Sequence, residues 1–260
     1  MTFFTKKPPG TAPRFPLFHV PHDGGQFPEK LLETLCISRK QFKWYHDQMR
    51  DLHVEELIPE EYRSSLHTER FPVSRLLCDV ERFPGPEEPM ERYGMGFCYE
   101  RVYDGTKIRT VTDELKEKTM VCYRAHQERM NRRCREHSRL LLLDLHSYSD
   151  RIVPKSLRDP REFLPDLCIG TDPVFTPGYL AETTERLFRR EGFTVSKNKP
   201  YAGCFVPGAV LSDKVQCDLT AVMLEFHRRC YLERSGRCSR EKTKRIRELI
   251  RQVIREKADR

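Results

Sequence analysis

The sequence predicts an α/β fold with a mixed, mostly parallel central sheet and helices on both of its faces. Three observations lead there. Short apolar runs alternate with longer segments of helical period along the chain. The strongest run, Leu140 to Leu145, is nearly continuous in leucine, the pattern of a strand covered on both sides. The last segment repeats Ile246, Leu249, Ile250, Val253 and Ile254, one apolar stripe of a helix. At 260 residues the chain can bury a sizeable core as one domain.

The elements follow in order. Residues 1–14, rich in Pro and Lys, read as a flexible leader. Leu17 to Val20 is an apolar run stopped by Pro21-His22-Asp23-Gly24-Gly25, so it reads as a buried strand entering a loop. Residues 38–57 form a helix with Ser38 as N-cap. Val73 to Val80 is a second strand candidate, and Pro84 to Pro89 a turn. Residues 90–111, with Gly94, Gly96 and Asp104-Gly105, read as loop and hairpin. Residues 112–137 form a long polar helix with Leu115, Cys122, Met130 and Cys134 on its apolar side. The leucine strand follows and ends in Asp144-Leu145-His146-Ser147. Thr176-Pro177 starts the next helix and Gly192 ends it. Phe193 to Ser196 and Ala221 to Phe226 are further strands, and a helix follows Ser239.

A charged fraction of 33% beside 38% hydrophobic residues describes a soluble globular chain. No apolar run reaches the ~20 residues of a bilayer span, and the N-terminal segment lacks the pattern of a signal peptide. A cytoplasmic protein is expected, with no membrane partner. The ten cysteines contain no C-x-x-C pair, so free thiols are expected rather than a zinc ribbon or a disulfide framework. The net charge of +8 gathers partly between Arg237 and Arg260. No nucleic-acid motif accompanies it, so a solvated helix face is expected and no nucleic-acid partner.

Chemistry concentrates at strand ends. His22 and His146 each close an apolar run, and strands of one sheet can bring such ends together. Two histidines and a carboxylate would hold zinc with one position open. A single histidine of this kind is more often a loop residue with ordinary hydrogen bonds. Glu225 lies inside the run Val222 to Phe226, where a carboxylate needs a partner or a task. It either serves as a general base or faces solvent at a strand end. Arg75 and Arg82 either fork a substrate carboxylate or pair at the surface with Asp79 or Glu81.

These motifs, in this order, resemble the N-formylglutamate amidohydrolase family. Pro21-His22-Asp23-Gly24 resembles its P-H-x-G, and Arg50 to Val54 its T-D-W-H segment. Ser74 to Arg82 is similar to S-R-x-x-x-D-x-N-R, and Asp144 to Ser147 to D-x-H-S. Asp166, Gly170-Thr171, Asn198 to Gly203 and Leu224-Glu225 follow in the expected order, so the resemblance covers roughly residues 15–235.

The resemblance implies a zinc-carboxypeptidase-like fold over residues 15–236; residues 237–260, by their apolar stripe and basic charge, are expected as an amphipathic helix packed on it. It implies one zinc ion and hydrolysis of a small N-acyl amino acid such as N-formylglutamate. His22 and His146 become metal ligands, with Asp51 as the third and His53 or Glu29 as alternatives. Glu225 becomes the base. Arg75, Arg82, Asn198 and Glu81 fall at substrate-binding positions.

Two features depart from the pattern. Position 25 is Gly, where a carboxypeptidase places its acidic ligand. Glu81 replaces the family's Asn, and an ionised Glu only accepts hydrogen bonds and would repel a substrate carboxylate. The alternative is therefore a weak or inactive member kept as a binding or scaffold protein.

Overall fold

The alternation of apolar side chains in three long runs decides the architecture. A computed structural model of the chain describes residues 13–152 and 163–258. The leader expected at 1–14 lies outside the described residues apart from Pro13 and Arg14. β1 (Phe15–Val20), β3 (Arg139–Tyr148) and β6 (Asp218–His227) run parallel at the centre of the sheet. β2 (Thr68–Arg70) extends it on one side, and β4 (Leu167–Gly170) and β5 (Val195–Lys197) on the other. Among the described residues the order is β2-β1-β3-β6-β4-β5, with only the β4–β6 pair antiparallel. The expected mixed, mostly parallel sheet is the one observed.

Each central strand buries both faces. Phe18, Val20, Leu141, Leu143, Leu145, Val222, Leu224 and Phe226 pack with helices α4 (Gly178–Arg190) and α6 (Arg240–Ala258). Leu17, Leu140, Leu142, Leu219 and Ala221 pack on the other face with α3 (Asp113–Glu136) and the short α5 (Gly208–Leu211). The α6 stripe from Ile246 to Ile254 is buried as the period required. Its Arg247 and Arg251 pair with Glu56, Glu60 and Glu61 across the surface.

Helix α1 (Glu29–Leu32) is a single turn, and α2 (Arg39–Met49) begins at Ser38 in a complete capping box with Gln41. α2 stops well short of residue 57: Arg50 is extended, and the Asp51 N–H donates to the His22 carbonyl instead of continuing the helix. α4 starts one residue later than expected, because the Thr176 hydroxyl donates to the Ala221 carbonyl rather than capping.

The strand expected at Val73–Val80 is not a strand. Only Val73 makes a bridge, to Gln26, and residues 75–77 turn. The segment is apolar because Leu76, Leu77, Cys78 and Val80 are buried in a second cluster with α2 and the 97–115 region. Its backbone is satisfied from outside the sheet. Cys78 N–H donates to Ser74, Asp79 N–H to Phe97, and the fully buried Arg109 donates to the carbonyls of Leu76, Leu77 and Tyr99. Gly24 lets this loop meet the first one, since a Cβ there would lie 2.3 Å from the Phe71 carbonyl oxygen. β2 and β4, too short and too polar or isolated to signal themselves, went unforeseen. All ten cysteines are unpaired. No described helix is long and apolar enough to cross a membrane.

Candidate active site

The face that packs on α3 turns polar at the carboxyl ends of the central strands. Alternation puts His19 of β1, Asp144 and His146 of β3 and Glu225 of β6 on that face, and register sets His19 beside Asp144 and His146 beside Glu225. His22 follows β1 in the loop, and its ring lies 5.1 Å from that of His146 between centroids. Parallel strands thus join two residues 124 positions apart, as in other open α/β sheets.

Asp51 sits between the two imidazoles. Its Oδ2 is 3.0 Å from His146 Nδ1 and 3.6 Å from His22 Nδ1. The opposite ring atoms are held by other carboxylates: His22 Nε2 by Asp79 Oδ1 at 2.9 Å, and His146 Nε2 by Asp144 Oδ1 at 3.1 Å. Glu81 also reaches this Nε2 side, 3.2 Å from His146 and 3.6 Å from His22. His22, Glu81 and His146 can each turn one ligand atom inward, all within 4.8 Å of one another. His19, Glu81 and Asp144 form a second such grouping.

Position is fixed from below. Asp23 is buried against Arg50 at 2.5 Å and accepts the N–H groups of His53 and Glu55, which pins the turn that carries Asp51. Asp79 accepts from Arg75 (2.8 Å) and Tyr99 (3.0 Å) on Oδ2. The pairing of Arg75 with Asp79 is therefore real, but it is buried in the site rather than on the surface. Arg82 lies further off, 3.8 Å from Asp79. Asn198 stands apart: exposed at φ 55°, it exchanges hydrogen bonds with Thr171 at the end of β4. Glu29 pairs with Arg39 at the surface, and the His53 side chain is exposed.

The electrostatics are those of a crowded anionic site. Asp51, Asp79 and Glu225 lie in the field of the Arg75 guanidinium, Arg82 stands beside Asp79, and Glu81 and Asp144 add two more carboxylates around the histidines. Burial works against ionisation of Asp79, but Arg75 and His22 outweigh it and hold the carboxyl well below its usual range. Asp51 and Asp144 are likewise held low despite burial, by the histidines. Burial opposes charge on His146 too, yet Glu81 and Asp144 raise it well above the ordinary imidazole value. Glu225 behaves oppositely. Burial, only partly offset by His146, raises it to about 8. Tyr201 is also raised, by burial and then by Glu225, which places its hydroxyl in the field of the same site.

A cation fits this donor set. His22 Nδ1 is buried without a hydrogen-bond partner, an expensive state for a ring nitrogen. Carboxylates on the outer nitrogens of both rings are the arrangement that orients metal-binding histidines.

The chain matches the model of the N-formylglutamate amidohydrolase family over residues 16–232. It belongs to that family. A search of curated proteins returns no match. In fold the chain is similar to the crystal structure of an N-formylglutamate amidohydrolase from Ralstonia eutropha JMP134, with TM-score 0.72 and 19% identity over 96% of this chain and 94% of that one. It is also similar to the gene product Atu2144 from Agrobacterium tumefaciens, with TM-score 0.62 and 17% identity over 94% and 92% of the two chains.

Asp79, Asp144, His19, Tyr99 and Tyr201 join this family member's site without having been singled out as site residues from sequence. Asp144 and His146 share a face by the period of two within one strand, a signal the sequence carried. Asp79 fell at the Asp of S-R-x-x-x-D-x-N-R, but a buried loop has no period to show that it faces His22.

Proposed function

We propose that this amidohydrolase-family protein hydrolyses the amide of a small N-acyl amino acid, N-formylglutamate being the first candidate, with one zinc ion held by His22, His146 and Asp51. The observation that carries the reading is the pair of Nδ1 atoms turned toward the Asp51 carboxylate, one of them without any other partner. Asp51 is preferred to Glu81 as the third ligand because Asp79 and Asp144 already occupy the Nε2 side that Glu81 approaches. Zinc bound there supplies Lewis acidity, polarising a carbonyl and making water a usable nucleophile near neutral pH.

The chain's own groups do the rest. Glu225, next to His146 in register and buried in the same site, is placed to take a proton from the attacking water and pass it to the leaving amine, a bound cation offsetting the burial that disfavours its charge. Asp79 and Asp144 keep both imidazoles in one tautomer. Arg75, fixed along one edge by Asp79, presents the remainder of its guanidinium to a substrate carboxylate or to the acyl oxygen. Arg82 adds positive charge alongside. Glu81 repels a substrate carboxylate placed next to it and attracts an amine, so the preferred amino acid is an open variable of the same reaction.

The experiment is direct. Zinc-loaded protein is incubated with N-formyl and N-acetyl amino acids and short amine-bearing peptides, and the released amine is measured. Turnover of one class that stops with a chelator and returns with zinc supports the reading. Absence of bound zinc together with no turnover on the whole panel overturns it and leaves a scaffold role.

A further inference from the structure

Behind Asp144 the site continues into α3. His19 Nδ1 contacts Asp144 Oδ1 at 2.9 Å, and His19 Nε2 meets His126 Nε2 at 2.9 Å. His126 Nδ1 in turn contacts Arg129 Nη2 at 3.0 Å. His19 and His126 are wholly buried, and Arg129 is anchored to the buried Glu69 at 3.2 Å.

The protons in this row can be assigned from one end. A guanidinium only donates, so His126 Nδ1 must accept from Arg129. Burial, reinforced by His19 and Arg129, holds the His126 pKa well below 6.5, so the ring is neutral and its single proton is on Nε2. That proton is donated to His19 Nε2. A second proton on His19 Nε2 would clash with it, so His19 is neutral and carries its proton on Nδ1. Nδ1–H then donates to Asp144 Oδ1. The other Asp144 oxygen accepts the Phe205 N–H at 2.9 Å, so the carboxylate is held at both ends with Oδ1 turned to His146 Nε2. The same assignment removes the second grouping, because a protonated His19 Nδ1 cannot ligate a cation beside Glu81 and Asp144.

We infer that Arg129, His126 and His19 are positioning residues: a one-directional chain of hydrogen bonds that fixes Asp144 and, through it, presents the His146 Nδ1 lone pair to the cation. The inference rests on the proposed role of His146 as a zinc ligand. Outer partners of metal-binding histidines change metal affinity by roughly 10–100-fold.

The test has two parts. Long-range 1H–15N spectra of the metal-free, full-length protein are expected to show His126 neutral with its proton on Nε2 and His19 neutral with its proton on Nδ1. A His19 proton on Nε2, or a cationic His19, overturns the chain. Zinc affinity is then measured by competition with a chelator. His126→Leu and Arg129→Met are each expected to weaken it by about 10-fold or more. His126→Gln, whose amide can donate at the Nε2 position, is expected to stay within about 3-fold of wild type. Unchanged affinity in Arg129→Met, together with an unmoved His126 proton, overturns the proposal even if His126→Leu fails to fold, since Arg129 is only half-buried. If wild-type protein binds no zinc, the functional reading fails, while the tautomers still decide the chain.

Discussion

The two faces of β1, β3 and β6 are built from the same three segments, yet they differ in kind. On the α4–α6 face, Leu141, Leu143 and Leu145 continue to the strand end with Val222, Leu224 and Phe226 beside them. On the α3 face, Leu140 and Leu142 give way to Asp144 and His146, Ala221 to Glu225, and Leu17 to His19. The difference teaches where stability and chemistry reside. One face supplies apolar burial along most of its length, interrupted by the small hydroxyls of Thr220 and Ser147. The other supplies it for half the strand and then holds buried carboxylates and imidazoles that a scaffold alone would not need.

The comparison is broken most strongly at the proposed cation. Asp51→Ala is expected to lower zinc affinity by more than about 100-fold, because it removes a ligand rather than an outer partner. Glu81→Ala is expected to lower it by less than about 10-fold. Chelator competition on both variants decides between the Nδ1 and Nε2 sides of the histidine pair, and the reverse order would move the ion to Glu81.

Glu225→Gln comes next. Turnover should fall by ~10²-fold or more with zinc retained. Stability should move the other way. The carboxyl pKa rises from 4.5 unfolded to about 8 folded, so the folded state binds the extra proton and wild type loses stability as pH rises through that window. In metal-free protein the unfolding free energy of Glu225→Gln should therefore gain on wild type between about pH 5 and pH 8. The gain is on the order of 3–5 kcal/mol and flattens above that range. A constant difference across the range would mean that Glu225 is not held protonated by burial.

The adjacent residue gives the opposite outcome. Leu224→Ala on the apolar face should cost about 2–5 kcal/mol of stability, read by denaturant unfolding, and leave the turnover of the remaining folded protein near wild type. A large rate loss at preserved stability would make the two faces functionally equivalent.

This division explains what the sequence made legible. The leucine strand, His146, Glu225 and the α6 stripe were readable because periods of two and 3.6 report burial directly, and His22 because Pro and Gly stop the apolar run that it closes. The loop from Val73 to Val80 was misread because an apolar run reports burial only. Arg109, which satisfies the backbone there, is distant in sequence and has no pattern. For the same reason Asp79 entered as a surface partner of Arg75, and Glu81 as a substrate contact rather than a neighbour of both histidines. Asn198 followed the family order, yet its side chain ties the loop after β5 to Thr171 after β4. Motif order located the region, and the sheet register was needed to say which atoms meet.

The smallest effect tests whether the site depends on the helix that precedes it. Ser38 caps α2 through the Gln41 N–H, and Gln41 returns a bond to the Ser38 N–H. Ser38→Ala should cost about 1 kcal/mol of stability. α2 ends at Met49, just before Asp51, so a helix that aimed the ligand would transmit the loss to zinc affinity. Asp51 has its own anchors, however. Its N–H is bonded to the His22 carbonyl, and Arg50 and the next turn are tied to Asp23. Those anchors belong to the loop leaving β1. Zinc affinity in Ser38→Ala should therefore stay within about two-fold of wild type while the melting temperature falls. An affinity loss matching the lost stability would instead place the ligand under the control of α2, and the contrast between the two sheet faces would no longer account for the whole site.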